Sequence, residues 1–392
     1  MGLMVVAGVV VWSSLTMAGG HGQNFVFVEE SASRLPVETS VGTSSTDVDL
    51  VDVDADGDLD LFVTEGTDSA AVRPNRLLLN NGDGVFVDVS GSNLPAALAN
   101  STHTDFADVE GDGDLDAIVG NLGPEQLLLN DGSGVFTDAS NQLPPPPGFL
   151  QDITADARFA DVDGDGDGDI LLGNENPFNP SPTGGGQNRL LVNDGAGVFS
   201  DQTSMRLPVD SDQTGVMLVN EGVGYFSDQT ATRFPATTDT SRNGALADLD
   251  GDGDLDVVVA NSRSEPVALY LNHAGTFTAH EFGMTPLPGE TDASLVLVDL
   301  DGDGDLDVYL ANAGPFRAGH GFDGGPDRYF RNNGTAHFKE RTNKHFSPAS
   351  DPTTAATFGD IDGDADLDLI VGNSGDNGAE RVLVQQPNGH KP

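Results

Sequence analysis

Six short segments of this chain each carry five acidic residues at alternating positions, a density of oxygen donors suited to a hard divalent cation. They are Asp52, Asp54, Asp56, Asp58 and Asp60; Asp108, Glu110, Asp112, Asp114 and Asp116; Asp161, Asp163, Asp165, Asp167 and Asp169; Asp248, Asp250, Asp252, Asp254 and Asp256; Asp299, Asp301, Asp303, Asp305 and Asp307; and Asp360, Asp362, Asp364, Asp366 and Asp368. Five carboxylates within nine residues repel one another strongly unless a cation sits among them. Ca²⁺ takes six to eight oxygens at roughly 2.4 Å in a flexible cage. The expectation is up to six Ca²⁺, one per loop.

The first half of each segment, D-x-D-x-D-G, is also the start of an EF-hand loop. That motif requires a bidentate Glu at position 12 and a helix on either side. Position 12 here is Val63, Val119, Leu172, Val259, Leu310 or Val371. The residues that follow position 9 are short β-branched or aliphatic runs, such as Val257 to Val259, which predict strands. The EF-hand reading fails, and the acidic loops are expected to join two strands, with the Asp at position 9 as the last ligand.

A second motif alternates with the first. Arg76 to Asp88 reads as two apolar runs around an Asn-Gly-rich turn, and equivalents occur at Asn130/Phe136, Asn193/Phe199, Asn220/Phe226, Asn272/Phe277 and Asn332/Phe338. Such a pattern predicts a β-hairpin. Most copies run on to Leu-Pro or a relative: Leu94-Pro95, Leu143-Pro144, Leu207-Pro208, Phe234-Pro235 and Leu287-Pro288. One unit is therefore strand, acidic loop, strand, variable loop, strand, Asn-Gly turn, strand. Four antiparallel strands repeated in this way make the blades of a single β-propeller, an all-β fold. The recurring Phe is assigned to packing between blades.

The chain reaches a third strand at Arg381 to Val384 and its turn Asn388-Gly389 leads to no fourth. Phe25 to Val28, followed by Leu35-Pro36, supplies that strand from the other end, which removes an open sheet edge. On this reading the C-terminus is complete. Loop starts are spaced by 56, 53, 87, 51 and 61 residues. The long interval holds two hairpins in tandem, Leu191 to Pro208 and Leu218 to Pro235, identical at 12 of 18 positions. Seven blades with a defective fourth are preferred, and six blades with an extra hairpin are the alternative.

Composition narrows the function. The 392 residues include 50 Gly, no Cys and a net charge of −46. The loops hold 30 of the 63 acidic residues, and six doubly charged ions would still leave about −34. Nucleic acids and anionic membranes need a basic surface, so neither is expected as a partner. Residues 1–18 read as a signal peptide, with an apolar core from Leu3 to Val11 and small residues at Thr16 and Ala18 before Gly19. That segment is too short to span a bilayer, and its n-region has no Lys or Arg. Export, to the extracellular space or a periplasm, suits calcium sites of modest affinity, which fill only near millimolar Ca²⁺. Without Cys there are no disulfides, and metal takes the stapling role. The mature propeller is expected over residues 24–390, as a monomer.

The alternation of D-x-D-x-D-G-D-L-D with the N-x-G-x-G-x-F hairpin resembles the FG-GAP/VCBS-repeat proteins, whose propeller is like that at the N-terminus of integrin α-subunits. The resemblance spans about residue 24 to residue 385. It implies an extracellular calcium-binding propeller engaged in adhesion or another interaction. It also implies ligation by side chains at positions 1, 3, 5 and 9, with position 7 offering its carbonyl, so that Asp58, Asp114, Asp167, Asp254, Asp305 and Asp366 can face solvent. Two copies depart from the pattern. Glu110 brings a longer arm to position 3 of the second loop. Ala365 stands where φ > 0 favours Gly, at a cost of roughly 1 kcal/mol, and the sixth site is expected to be the weakest. The loops at Asp248 and Asp299 are expected to fill most readily.

No catalytic constellation is visible, and no activity is expected. The histidines (His21, His103, His273, His280, His320, His337, His345 and His390) are scattered, with none in H-E-x-x-H, and His103 and His273 read as solvated loop residues. There is no nucleophile elbow or phosphate loop. Some polysaccharide lyases are calcium propellers, which keeps that alternative, with a site assembled from loops on one face. A lectin is the other. Sugar stacking favours Trp and Tyr, yet Trp12 lies in the leader and Tyr225, Tyr270, Tyr309 and Tyr329 fall at strand positions. The loops Asn174–Asn188 and Asn312–Asp327, with Phe178, Phe316, Arg317 and Phe322, are candidate contacts for an extracellular protein or glycan partner.

Overall fold

In a computed structural model, the structure describes residues 4–7, 25–37, 44–66, 73–96, 100–146, 153–174, 187–209, 216–236, 241–261, 265–286, 291–317, 321–347, 349–374 and 379–387. Phe178, Leu287-Pro288, Asn388-Gly389, Trp12, His21, His320, His390 and the cleavage site at Ala18–Gly19 lie outside them.

The strands assemble into six four-stranded antiparallel sheets. The first is Ser45–Val51, Asp60–Glu65, Arg76–Asn80 and Phe86–Asp88; the second Ser101–Ala107, Asp116–Asn121, Gln126–Asn130 and Phe136–Asp138. The third is Thr154–Ala160, Asp169–Asn174, Arg189–Asn193 and Phe199–Asp201, and the fourth Ser241–Ala247, Asp256–Asn261, Ala268–His273 and Thr276–His280. The fifth is Asp292–Val298, Asp307–Asn312, Arg328–Arg331 and Lys339–Glu340. The sixth takes Thr353–Gly359, Asp368–Asn373 and Arg381–Pro387, and its fourth strand is Phe25–Glu29, with Phe25 opposite Pro387. Each sheet has the strand order of a propeller blade, and each acidic loop joins its first strand to its second, as expected.

The blade count corrects the preferred reading: the described residues form six four-stranded blades, matching the alternative, not seven. Beyond the third sheet, the described residues of the 87-residue interval hold an extra hairpin, Val216–Asn220 with Phe226–Asp228, with no acidic loop and, among the described residues, no strand pair of its own ahead of it. Met4–Ala7, within the segment read as leader, runs parallel to it, Met4 opposite Val216.

By contact the chain forms two compact units. One comprises Met1–Val11, Val51–Leu78 and Asp88–Thr230; the other Trp12–Leu50, Leu79–Val87 and Ala231–Pro392. In the first, Ile118, Leu127, Ala157, Ile170 and Leu172 pack the second sheet against the third, and Val162, Leu171, Leu190, Leu218 and Phe226 pack the third against the extra hairpin. In the second, Val258, Leu269, Leu295 and Val308 join the fourth sheet to the fifth, while Tyr309, Tyr329, Phe358, Leu369 and Phe25 join the fifth to the sixth. The hairpin residues Phe86, Phe136, Phe199, Phe226 and Phe277 are buried, which bears out their packing role. Their apolar burial is the main stabilising contribution available to sheets this short.

Five of the Leu-Pro or Phe-Pro pairs are preceded by a single helical turn, Ser31–Arg34, Ser90–Asn93, Thr203–Arg206 and Thr230–Arg233, with a 3-10 turn at Ser140–Gln142; residues 281–286 before Leu287-Pro288 form none. Proline cannot continue a helix and disfavours it in the residue before, so the turn stops there. The turn's first Ser or Thr accepts a backbone N–H from the third strand, as Ser90 does from Leu77 and Thr203 from Leu190.

Candidate metal centre

The acidic loops share one backbone scaffold. The position-1 carboxylate accepts N–H groups from positions 4 and 6: Asp161 Oδ1 from Gly164 at 2.7 Å and Oδ2 from Gly166 at 3.1 Å, and Asp248 from Gly251 and Gly253 at 2.8 and 3.0 Å. The turn requires left-handed backbone at both donors. Glycine supplies it at most copies, but Ala55 (φ 58°) takes it at position 4 of the first loop and Ala365 (φ 69°) at position 6 of the sixth. The strain expected at Ala365 is therefore present, and Ala55 adds a second case that was missed.

Position 9 opens the second strand and is buried in all six copies. Its Oδ2 accepts the position-2 N–H in five: Val53 to Asp60, Val109 to Asp116, Val162 to Asp169, Leu249 to Asp256 and Ile361 to Asp368. Its Oδ1 accepts the N–H at the end of the third strand, as in Asn130 to Asp116 and Asn193 to Asp169. Burial is the leading cause that pushes Asp116 and Asp169 up to about 6 and Asp307 and Asp368 up to about 8. A nearby cation would oppose that penalty by favouring the charged form.

Four loops draw positions 1, 3 and 9 together, one oxygen of each within 4.8 Å of the others: Asp52/Asp54/Asp60, Asp161/Asp163/Asp169, Asp248/Asp250/Asp256 and Asp360/Asp362/Asp368. The fifth gathers Asp299, Asp301 and Asp303 instead. The second loop, with Glu110 at position 3, forms no such group among the described residues. Positions 5 and 7 are otherwise engaged in the turn: Asp56 Oδ1 accepts Asp58 N–H, Asp112 accepts Asp114, Asp165 accepts Asp167, Asp252 accepts Asp254, Asp303 accepts Asp305 and Asp364 accepts Asp366. Asp366 is buried rather than facing solvent.

The donors fit a hard cation. Asp52 Oδ1, Asp54 Oδ1, Asp163 Oδ1 and Asp362 Oδ1 are buried oxygens with no hydrogen-bond donor, a costly state for a carboxylate unless an ion completes it. The other oxygen of the position-3 group is held by an arginine in two loops, Asp163 Oδ2 by Arg206 Nη1 and Asp362 Oδ2 by Arg34 Nη2, both at 2.9 Å. Each arginine sits directly before Leu-Pro, a regularity that was readable in the repeat but was not assigned a role.

Two asparagine series were also missed as site elements. The hairpin asparagines fix five of the six acidic loops through the position-2 carbonyl: Asn130 Nδ2 donates to Val53 O, Asn193 to Val109, Asn220 to Val162, Asn332 to Leu249 and Asn80 to Ile361. The asparagine five residues past position 9 clasps the loop before the third strand, Asn121 on Pro124 O and Asn261 on Pro266 O. His103 proves to lie on a strand, not in a loop, with Nδ1 3.4 Å from Asp156. His273 is exposed in its hairpin turn and 3.2 Å from Asp252. His345 stacks on Phe25, and burial lowers its pKa to about 4, so the ring is neutral and structural. Phe322 lies beneath the Arg242 guanidinium. No helix among the described residues is long and apolar enough to cross a membrane.

Comparison with known proteins bears on this geometry. No curated protein matches the chain. Among solved structures, an Agrocybe aegerita lectin described as recognising non-reducing terminal N-acetylglucosamine is 18% identical, with 89% of this chain and 81% of that chain covered and a TM-score of 0.39. YCF48 from Cyanidioschyzon merolae is 10% identical over 92% and 88%, TM-score 0.37. The exotype rhamnogalacturonan lyase YesX is 16% identical over 91% of this chain and 58% of its own, TM-score 0.32. The FG-GAP-like repeat model matches residues 52–119, 108–172, 207–259, 248–310 and 317–371. Each match ends just past an acidic loop and three of the five run from one loop to the next, together covering most of the chain, which belongs to the FG-GAP-like repeat family.

Proposed function

We propose that this chain is an exported, calcium-stapled β-propeller that serves as a binding or adhesion module for a protein or glycan partner, without catalysis of its own. The carrying observation is the set of buried carboxylate oxygens at Asp52, Asp54, Asp163 and Asp362 that lack a donor, each belonging to a residue whose carboxylate gathers with two others of its loop. Ca²⁺ is the hard, oxygen-seeking ion that suits a flexible carboxylate cage. The bound ion would neutralise the loop and lock the turn between first and second strands, leaving the longer loops to meet a partner. Three of the four tyrosines are buried (only Tyr225 is exposed), so a glycan would be held through polar contacts more than by stacking.

Elemental analysis of the purified mature chain, with thermal unfolding in calcium and in chelator, tests this reading. At least four Ca²⁺ per chain, matching the four loops that gather positions 1, 3 and 9, and a melting point that falls sharply on chelation are expected. Fewer than two ions with no effect of chelator would reduce the loops to acidic turns.

A further inference from the structure

Arg331 sets the fifth acidic loop apart. It ends the strand Arg328–Arg331 in the same sheet as that loop. Its Nε lies 2.5 Å from Asp301 Oδ2, and its Nη2 donates to Asp303 Oδ2 at 2.5 Å. The guanidinium thus spans positions 3 and 5, and Asp301 is buried beneath it. Two residues earlier on the strand, Tyr329 donates its hydroxyl to Asp307 Oδ2. In the other five loops the matching oxygen accepts a backbone N–H from position 2. One strand therefore donates hydrogen bonds to Asp303 and Asp307 and sets a positive charge against Asp301.

The arginines at two other loops act differently. Arg34 and Arg206 each touch one oxygen of the position-3 group alone with one Nη, whereas Arg331 bridges positions 3 and 5; the second position-3 oxygen has no hydrogen-bond donor in all three loops. In the Arg34 and Arg206 loops positions 1, 3 and 9 converge, whereas in the fifth the converging set is Asp299, Asp301 and Asp303.

We infer that Arg331 is a built-in cation that, with Tyr329, takes the place of Ca²⁺ in the fifth loop and keeps the ion out. The inference rests on the calcium reading of the remaining loops, and it departs from the expectation that the Asp299 loop fills most readily. A planar guanidinium can set its charge against two carboxylates at once, as Arg331 does with Asp301 and Asp303. A divalent ion entering beside it would meet a fixed positive charge a few ångströms away, where solvent screens poorly. The fifth blade is then stapled by protein alone.

Crystals of the native chain grown with Tb³⁺ in place of Ca²⁺ give a readout loop by loop. Anomalous peaks are expected at the Asp52, Asp161, Asp248 and Asp360 loops and none at the Asp299 loop. A peak there, with Arg331 turned away, overturns the inference and leaves the calcium reading standing. No peak at any loop overturns the calcium reading, and the inference falls with it. In solution, native mass spectrometry of Arg331→Gln is expected to show one more bound Ca²⁺ than the native chain, and an unchanged count in a folded variant overturns the proposal. The crystal measurement uses the native chain, so it stays decisive if the variant fails to fold.

Discussion

Asn130 Nδ2 donates at 2.7 Å to the carbonyl of Val53, 77 residues earlier, and so ties the hairpin of the second sheet to the acidic loop of the first. The same bond recurs from Asn193 to Val109 and from Asn332 to Leu249. Each amide is buried, so its loss strands a carbonyl at the loop. Asn193→Ala is expected to cost about 1–3 kcal/mol in urea unfolding. Asn272 donates to Leu255 O, inside its own sheet, through an exposed bond. Asn272→Ala is expected to cost well under 1 kcal/mol, about the net worth of an exposed hydrogen bond. Equal losses at the two positions would remove the tie between sheets from the account.

The second loop fails to gather its carboxylates because Glu110 carries one methylene more than the Asp at position 3 elsewhere. Its scaffold is otherwise intact: Asp108 accepts Gly111 and Gly113 N–H at 2.7 and 2.9 Å. Glu110→Asp is expected to raise the calcium affinity of this loop about tenfold, the equivalent of 1.4 kcal/mol. Isothermal titration should then resolve one more tight site than in the native chain. A titration that superimposes on the native one would show that arm length does not decide occupancy.

The acidic loops were legible in the sequence because each is contained within nine residues and ligand chemistry dictates their types. Strand order followed from hairpin punctuation, and the N-terminal strand from the missing partner of Arg381–Pro387. Groups that act across a blade or between blades were not legible. Arg331 lies 30 residues from Asp301, and Asn193 lies 84 from Val109; neither distance shows in a local pattern. The blade count went astray for a related reason. Val216–Asn220 and Phe226–Asp228 copy the hairpin so closely that sequence alone suggests a blade, while the described residues of the interval hold no inner strand pair to complete one.

Protonation should reveal the carboxylates that calcium would compensate. Burial raises Asp116 and Asp169 to about 6 and Asp368 to about 8, above the roughly 3.9 of an unfolded Asp. Between those limits the folded state binds more protons than the unfolded one, so stability falls as pH rises. In chelator the melting point is expected to be highest near pH 4–5 and to decline toward pH 8, as the charge of −46 adds its own repulsion. Saturating Ca²⁺ should flatten that decline, because the ion favours the charged carboxylates. Parallel curves with and without calcium would mean that these buried groups do not face the ion.

Ala365 offers a test of strain at a single loop. Its φ of 69° places a Cβ in the left-handed region, where it meets the following carbonyl, while five of the six loops have Gly at this position. Its N–H still donates to Asp360 Oδ2 at 2.9 Å, so the turn forms and the strain is borne rather than avoided. Ala365→Gly removes the clash but gives the unfolded chain more freedom, and the two effects partly cancel. A net gain of about 0.5–1 kcal/mol is expected. The gain should appear in chelator as well as in calcium, because it arises from the backbone and not from the ion. If stability rises only in calcium, the alanine is hindering the ion's approach, and the cost lies in ligand placement instead of the turn.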